Sequence, residues 1–262
     1  MTSSPFRNLN RLEFLVTLAC TGRCRHCSEG DHASAGQSLD KTAAGRAVHS
    51  LCREYKIESV MTFGGEPLLC LDCVCKIHEA ARAAGIPKRQ LITNGFFSRD
   101  TAKIIAAAKR VADSGVNDIL LSTDAFHQET IPLEPVMTFA LAVKETGSGM
   151  RTRIPVRIRS HPAWLVSAEH DNPYNVRTRE ILAEFEKLGI TSSDGNIVFP
   201  SGNAKKYLSE YFDPNDNPTS PYAEDPNDIH SVCIDSSGDL FGGNISERDI
   251  CDILSDYAQN MK

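Results

Sequence analysis

The chain has 262 residues, with 28 basic against 34 acidic side chains, a formal net charge of −6, 41% apolar residues and 24% charged ones. An acidic balance excludes nonspecific nucleic-acid binding as a default role, and no apolar run approaches the roughly 20 residues of a membrane-spanning helix. At roughly 150 residues per domain, the length suits one α/β unit with a short extension.

Leu12 to Leu18 reads as a first strand that ends in a cysteine-rich loop. After the Gly/Ser-rich stretch Ala33 to Ser38, helical spacing runs from about Asp40 to Tyr55. A second strand, Ser59 to Phe63, stops at Gly64-Gly65. The unit then repeats, with a helix at Leu71 to Ala84, a strand at Gln90 to Thr93, a helix at Asp100 to Ser114 and a strand at Asp118 to Ser122. Pro135 to Thr146 reads as a helix, Arg153 to Ser160 as a strand, Val176 to Leu188 as a helix and Asn196 to Phe199 as a sixth strand. Residues 201–229, with Pro214, Pro218, Pro221 and Pro226 and an acidic run from Asp213 to Asp228, read as a polar connection whose Lys205-Lys206 pair is solvated surface. In the tail, Ser231 to Asp235, a turn at Ser237-Gly238-Asp239 and Leu240-Phe241 predict a small hairpin.

Strands alternating with helices require parallel pairing, in an open doubly wound sheet or a barrel. Unusual residues follow strands one to four alike, so the chemistry gathers on one rim, which favours a curved α/β barrel. The expected division is a core over residues 1–200 and a linker with a small C-terminal extension over 201–262. The polar first residues, Met1 to Arg11, lack a secretory pattern, which leads us to expect a cytoplasmic protein.

Nine cysteines is an odd number for a disulfide framework, so reduced thiols are expected. Cys20, Cys24 and Cys27 fall within eight residues directly after the first strand, close enough for one loop to wrap one metal centre. Three thiolates on a four-iron cube leave the fourth iron open to an exogenous amine and carboxylate. The competing reading is a structural zinc knuckle with His26 as fourth ligand. Its variant, pairing Cys24 and Cys27 with Cys70 and Cys73, needs a gap far longer than the typical ~15–20 residues.

The Cys-x3-Cys-x2-Cys spacing after strand one resembles the signature of the radical S-adenosylmethionine (radical SAM) superfamily, and Gly64-Gly65-Glu66-Pro67 after strand two resembles that family's glycine-rich motif. The resemblance implies a partial (β/α)6 barrel over residues 12–200, with a [4Fe–4S] cluster on Cys20, Cys24 and Cys27 as the catalytic centre and S-adenosylmethionine (SAM) beside it. It places His26 along the adenine and implies that Gly64 and Gly65 let backbone approach the ligand. Glu66 would accept from the methionine ammonium, with Pro67 closing the motif. Asn94 of Thr93-Asn94-Gly95 would line the pocket, while Ser122 and Asp124 would hold ribose hydroxyls. Arg157 and Arg159 share a face, and Arg159 is the choice for the methionine carboxylate. Ile197-Val198-Phe199-Pro200 would supply an apolar and backbone edge for adenine.

The implied reaction is reductive cleavage of SAM to a 5′-deoxyadenosyl radical that abstracts hydrogen from substrate, with a low-potential donor such as flavodoxin or ferredoxin. Pro200 to Ala204 and Cys233 to Gly238 resemble landmarks of family members with a cysteine-rich tail, many of which modify peptides or proteins. The leading expectation is therefore a peptide or protein side chain. The alternatives are a small metabolite or nucleotide, glycyl-radical activation, or a non-catalytic iron–sulfur or zinc module. The tail departs from that pattern, since Gly242-Gly243 stands where another cysteine would close the hairpin and only Cys251 follows. Cys52, Cys70, Cys73 and Cys75 are read first as packing, and His127 either as solvent-exposed or as facing the pocket.

Overall fold

The computed structural model describes residues 4–30, 37–146, 155–213 and 223–261. The parts of the expected elements at Ala33 to Gly36, at Arg153 and at Pro214, Pro218 and Pro221 lie outside these residues. Strand alternation decides the first layer. In β1 (Arg11–Leu15), Leu12 and Phe14 are fully buried, whereas Arg11, Glu13 and Leu15 lie on the other face. The chain continues through α1 (Lys41–Glu54), β2 (Ser59–Phe63), α2 (Leu71–Ala83), β3 (Lys88–Thr93), α3 (Thr101–Ser114) and β4 (Asp118–Leu121). A four-residue helix α4 (Ala125–Gln128) then precedes α5 (Leu133–Thr146), β5 (Arg157–Ser160) and a two-residue β6 (Ala163–Trp164). The remaining elements are α6 (Pro173–Lys187), β7 (Asn196–Ile197), α7 (Gly202–Tyr207), β8 (Ser231–Ile234), β9 (Asp239–Leu240), β10 (Gly243–Asn244) and α8 (Ile250–Asn260).

The helix starts follow from their caps. The Asp40 carboxylate accepts from Ala43 N and that of Asp100 from Ala102 N, while Asn172 caps α6 ahead of Pro173. Leu12, Phe14, Val60, Leu91, Ile119, Leu121 and Ile158 on the strands share one core with Val48, Leu51, Val74, Ile77, Ile104 and Phe139 of the helices. All strand pairs of the main sheet are parallel, with Glu13, Met61, Gln90, Asp118 and Arg157 in one register row and Leu15, Phe63 and Ile92 above them toward the strand ends.

The sheet order is β5-β4-β3-β2-β1-β8, so its sixth member comes from the tail. This corrects two expectations. The stretch Asn196 to Phe199 forms only the two-residue β7, which pairs with β6 just beyond β5. Ser231–Ile234 is not a hairpin arm but lies parallel to β1, with Arg11 opposite Ser231 and Phe14 opposite Ile234. The hairpin is β9 with β10, and α8 packs on α1, where the Ser50 hydroxyl donates to Asp249 at 2.6 Å.

One polar pair sits inside this core. His78 of α2 is fully buried and hydrogen-bonded to Thr62 of β2 at 2.9 Å. Burial, and secondarily Arg89, pushes its pKa down to about 3. The ring is neutral in the fold and protonates near 6.5 when unfolded, so the unfolded chain binds more protons between those values and stability falls as pH drops through that window. His78→Gln keeps a partner for Thr62 without titrating. Urea unfolding between pH 6.5 and 4 should show the wild type losing about 3 kcal/mol more than this variant. Parallel profiles would contradict this.

Candidate active site

The loop after β1 is held against the end of β2 by backbone alone. Val16 N donates to Phe63 O at 2.8 Å, Gly65 N to Thr17 O at 2.7 Å and Glu66 N to Ala19 O at 2.8 Å. A Cβ on Gly64, whose φ is +149°, would stand 2.4 Å from Thr17 O, and one on Gly65 would stand 2.3 Å from Ala19 O. The close approach of the cysteine loop itself already requires glycine at both positions.

Glu66 is fully buried and each of its oxygens is engaged by the protein. Oε1 accepts from Leu68 N at 2.9 Å and from the Thr93 hydroxyl at 2.6 Å, and Oε2 accepts from Asn94 N at 2.8 Å. Burial pushes its pKa up to about 7 against these three donors. The carboxylate therefore ties the end of β2 to the end of β3. Pro67 follows it, buried at the start of a single 3₁₀ turn.

Of the three loop cysteines, Cys24 is buried and Cys20 and Cys27 are partly buried. Cys20 Sγ accepts from Gly22 N at 3.3 Å and from Asn94 Nδ2 at 3.6 Å. Burial raises the pKa of Cys20 and Cys24, and the other loop cysteines add to the effect. The loop is clamped from outside the predicted motif: Asn203 donates from its backbone to Cys27 O at 2.9 Å and from its side chain to Cys24 O at 3.3 Å. Gly202, with φ +50°, leaves no room for a Cβ, which would lie 2.3 Å from Ser28 O. The stretch Pro200 to Ala204 was visible in the sequence, but nothing local marks it as a clamp on a loop so distant in the chain.

Three clustered thiols that repel one another's charge, two amide donors aimed at one sulfur and a loop fixed by its carbonyls form a donor set that fits an iron–sulfur cube with one iron left without a protein ligand.

Beside Cys24, the His26 ring packs on Phe126 and His127, with both centroid separations 4.8 Å. Burial pushes the His26 pKa down to about 4, so the ring is neutral near pH 7. Asp124 is also fully buried. It caps α4 by accepting from His127 N at 2.9 Å, and its Oδ2 lies 2.8 Å from His127 Nδ1 and accepts from Ala163 N at 3.0 Å. Its carboxyl is opposed by burial but held well below the usual range by His127. Asp124 thus orients His127 rather than facing outward toward a ribose. An aspartate one residue before a short helix is a capping signal that the sequence does carry. Cys24, His26 and His127 bring one ligand atom each within 4.8 Å of one another.

Asn94 and the partly buried Ser122 sit at the ends of β3 and β4, joined by Ser122 N donating to Thr93 O at 2.8 Å. Arg159 does not reach toward the rim. Its guanidinium pairs with both oxygens of Asp118, at 3.1 and 3.0 Å, two residues nearer the strand starts, and Asp118 also accepts from Gln90 at 2.9 Å. This corrects its assignment to a methionine carboxylate. Ile197 is exposed and Val198 is buried with Phe126 and Leu165 in a second apolar cluster. Cys73 and Cys75 point into packing, toward Leu39 O at 3.4 Å and Arg110 O at 3.7 Å. In the tail, a Cβ on Gly243 would be 2.8 Å from Ile253, so the hairpin sits directly against α8. Among the described residues, no helix is long and apolar enough to cross a membrane.

Comparison with known proteins places this arrangement. The model of the radical SAM superfamily matches residues 14–146. A GTP 3′,8-cyclase of Tolumonas auensis is 28% identical over 121 residues, covering 45% of this chain and 34% of that protein, so the match spans about a third of the curated relative. Streptococcus suis SuiB, solved with S-adenosylmethionine, superposes with a TM-score of 0.59 at 13% identity over 94% of this chain and 65% of that one. Its complex with precursor peptide SuiA gives the same TM-score and coverage at 12% identity. anSMEcpe with bound AdoMet and the Cp18Cys peptide gives 0.57 at 14% identity, over 96% of this chain and 81% of that one. These likenesses show the partial-barrel fold, and the family match covers just over half of the chain. The chain belongs to the radical SAM superfamily, enzymes that use a [4Fe–4S] cluster and S-adenosylmethionine.

Proposed function

We propose that this chain cleaves SAM reductively at a cluster held by Cys20, Cys24 and Cys27 and directs the resulting radical at a peptide or protein side chain. The observation that carries the reading is the cysteine loop locked by Gly64 to Glu66 onto the strand ends, with Asn94 donating to Cys20. When bound, the reduced cluster supplies one electron to the sulfonium, giving methionine and a 5′-deoxyadenosyl radical that takes hydrogen from substrate. Gly64, Gly65, Pro67, Asn94 and Ser122 would hold SAM, with His26 against the adenine. Glu66 and Asp124 act behind them by fixing Asn94 and His127. A low-potential carrier such as a flavodoxin or ferredoxin would deliver the electron.

The peptide reading is supported by the likeness to SuiB and anSMEcpe, which runs through the tail and includes structures solved with peptides. The sheet face opposite the helices supports it too. Leu15, Phe63, Ile92 and Leu120 form an apolar row below the rim that ends in register at Arg159, whose guanidinium is paired with Asp118 beneath it, as Arg11 is with Glu13. Such an apolar row suits an inserted side chain. The cyclase relative makes a nucleotide the competing substrate.

Anaerobically reconstituted protein with dithionite and SAM should release 5′-deoxyadenosine, and a peptide encoded beside the gene should change mass. Release that responds to GTP and to no peptide would overturn the substrate assignment. The convergence of Cys24, His26 and His127, with Asp124 behind His127, supports a second reading as a zinc site. Zinc without iron or sulfide after reconstitution would establish it in place of the first.

A further inference from the structure

We propose that Asn94 is a positioning residue that sets the reduction potential of the cluster through its amide N–H on Cys20 Sγ. This rests on the reading that Cys20, Cys24 and Cys27 hold that cluster. Asn94 is 4% exposed and its amide is fixed on both sides. Oδ1 accepts from Phe96 N at 2.8 Å, which leaves Nδ2 to face Cys20 Sγ at 3.6 Å and Thr21 Oγ1 at 3.3 Å. The backbone is fixed as well, since Asn94 N donates to Glu66 Oε2 at 2.8 Å and Gly95 N donates to the Thr93 hydroxyl at 2.9 Å. The Thr21 hydroxyl in turn donates to Phe96 O at 2.6 Å, closing a ring of hydrogen bonds between the cysteine loop and the end of β3.

An N–H aimed at a ligand sulfur stabilises the electron-rich form of a cluster and so raises its potential. Gly22 N supplies one such bond from within the loop and stays with the loop whatever residue 94 is. The Asn94 bond comes from another strand, so a substitution there removes one donor without altering the motif. Because the electron is delivered from outside, the fraction of cluster reduced at a given donor potential depends on this contact.

The test is an EPR-monitored redox titration of reconstituted wild type, Asn94→Ala and Asn94→Asp, with iron and sulfide counted in each sample. Aspartate retains an acceptor for Phe96 N but has no donor for sulfur. Both variants should load iron as the wild type does. Both should reduce at a more negative potential, with the reduced-to-oxidised ratio at fixed poise falling about tenfold, or about 60 mV for one electron. Normal loading with an unmoved midpoint would overturn the proposal. Loss of iron in both variants in proportion to lost thermal stability would also overturn it, by showing a merely structural role. A wild type that assembles no cluster would instead defeat the underlying reading.

Discussion

Cys24→Ala should yield a folded, colourless protein without bound iron, whose 5′-deoxyadenosine release falls below detection. Two protein thiolates do not retain a four-iron cube, so the loss is of the cofactor rather than of a fraction of rate. The fold survives because truncating one buried thiol costs about 1 kcal/mol, a typical value for a single substitution. Two comparisons separate ligation from packing. Cys73→Ala removes a thiol from the core beside Leu39 and should cost similar stability while leaving iron and release unchanged. Cys27→Ala, at a site less buried than Cys24, should match Cys24→Ala in losing iron, because ligand count and not burial decides. A zinc centre on Cys24, His26 and His127 gives the reverse pattern, with metal lost in His127→Ala and retained in Cys27→Ala. Iron retained with measurable release in Cys24→Ala would end the cluster assignment.

What the sequence shows of this molecule is its local physics. Asp40 and Asp100 ahead of apolar periodic stretches announce α1 and α3, and the observed helices begin one residue later. The cysteine spacing and Gly64-Gly65 mark the rim because their chemistry is unusual in itself. What stayed hidden depends on contacts between distant segments. Ser231–Ile234 has the pattern of any short strand followed by a turn, and its pairing with β1 rests on a register more than two hundred residues away. The ion pair of Arg159 with Asp118 joins two strands whose side chains each read as site candidates or surface until their register is known. Glu66 and Asp124 were marked as polar groups at the right rim, but their roles differ because burial sets them. A carboxylate with no exposure must be satisfied by the protein's own donors, and at both positions it is.

Gly65→Ala should unseat the cysteine loop without removing any of its three thiols. The added methyl carbon would stand 2.3 Å from Ala19 O, 2.6 Å from Leu18 O and 2.7 Å from Ala19 C. All three are backbone atoms, so no rotamer change relieves the overlap. The strand end and the loop must part by about 1 Å, well inside the range where close-packed interiors resist. Separation also strains the bonds from Gly65 N to Thr17 O and from Glu66 N to Ala19 O, each worth about 1 kcal/mol. Together with overpacking, the cost should reach about 3 kcal/mol or more, lowering Tm by roughly 6–12 °C for a chain of this size. Because Ala19 adjoins Cys20, the displacement also moves the first sulfur, and reconstituted iron should fall well below the wild-type value. Gly85→Ala is the control: its φ is +77° but nothing lies within 4 Å of the added carbon. It should therefore show only left-handed strain of about 1–2 kcal/mol and full iron loading. If Gly65→Ala keeps its iron and melts no lower than Gly85→Ala, the close approach of loop and strand is not what positions the cysteines, and the contacts of Asn203 with Cys24 and Cys27 would have to carry that role.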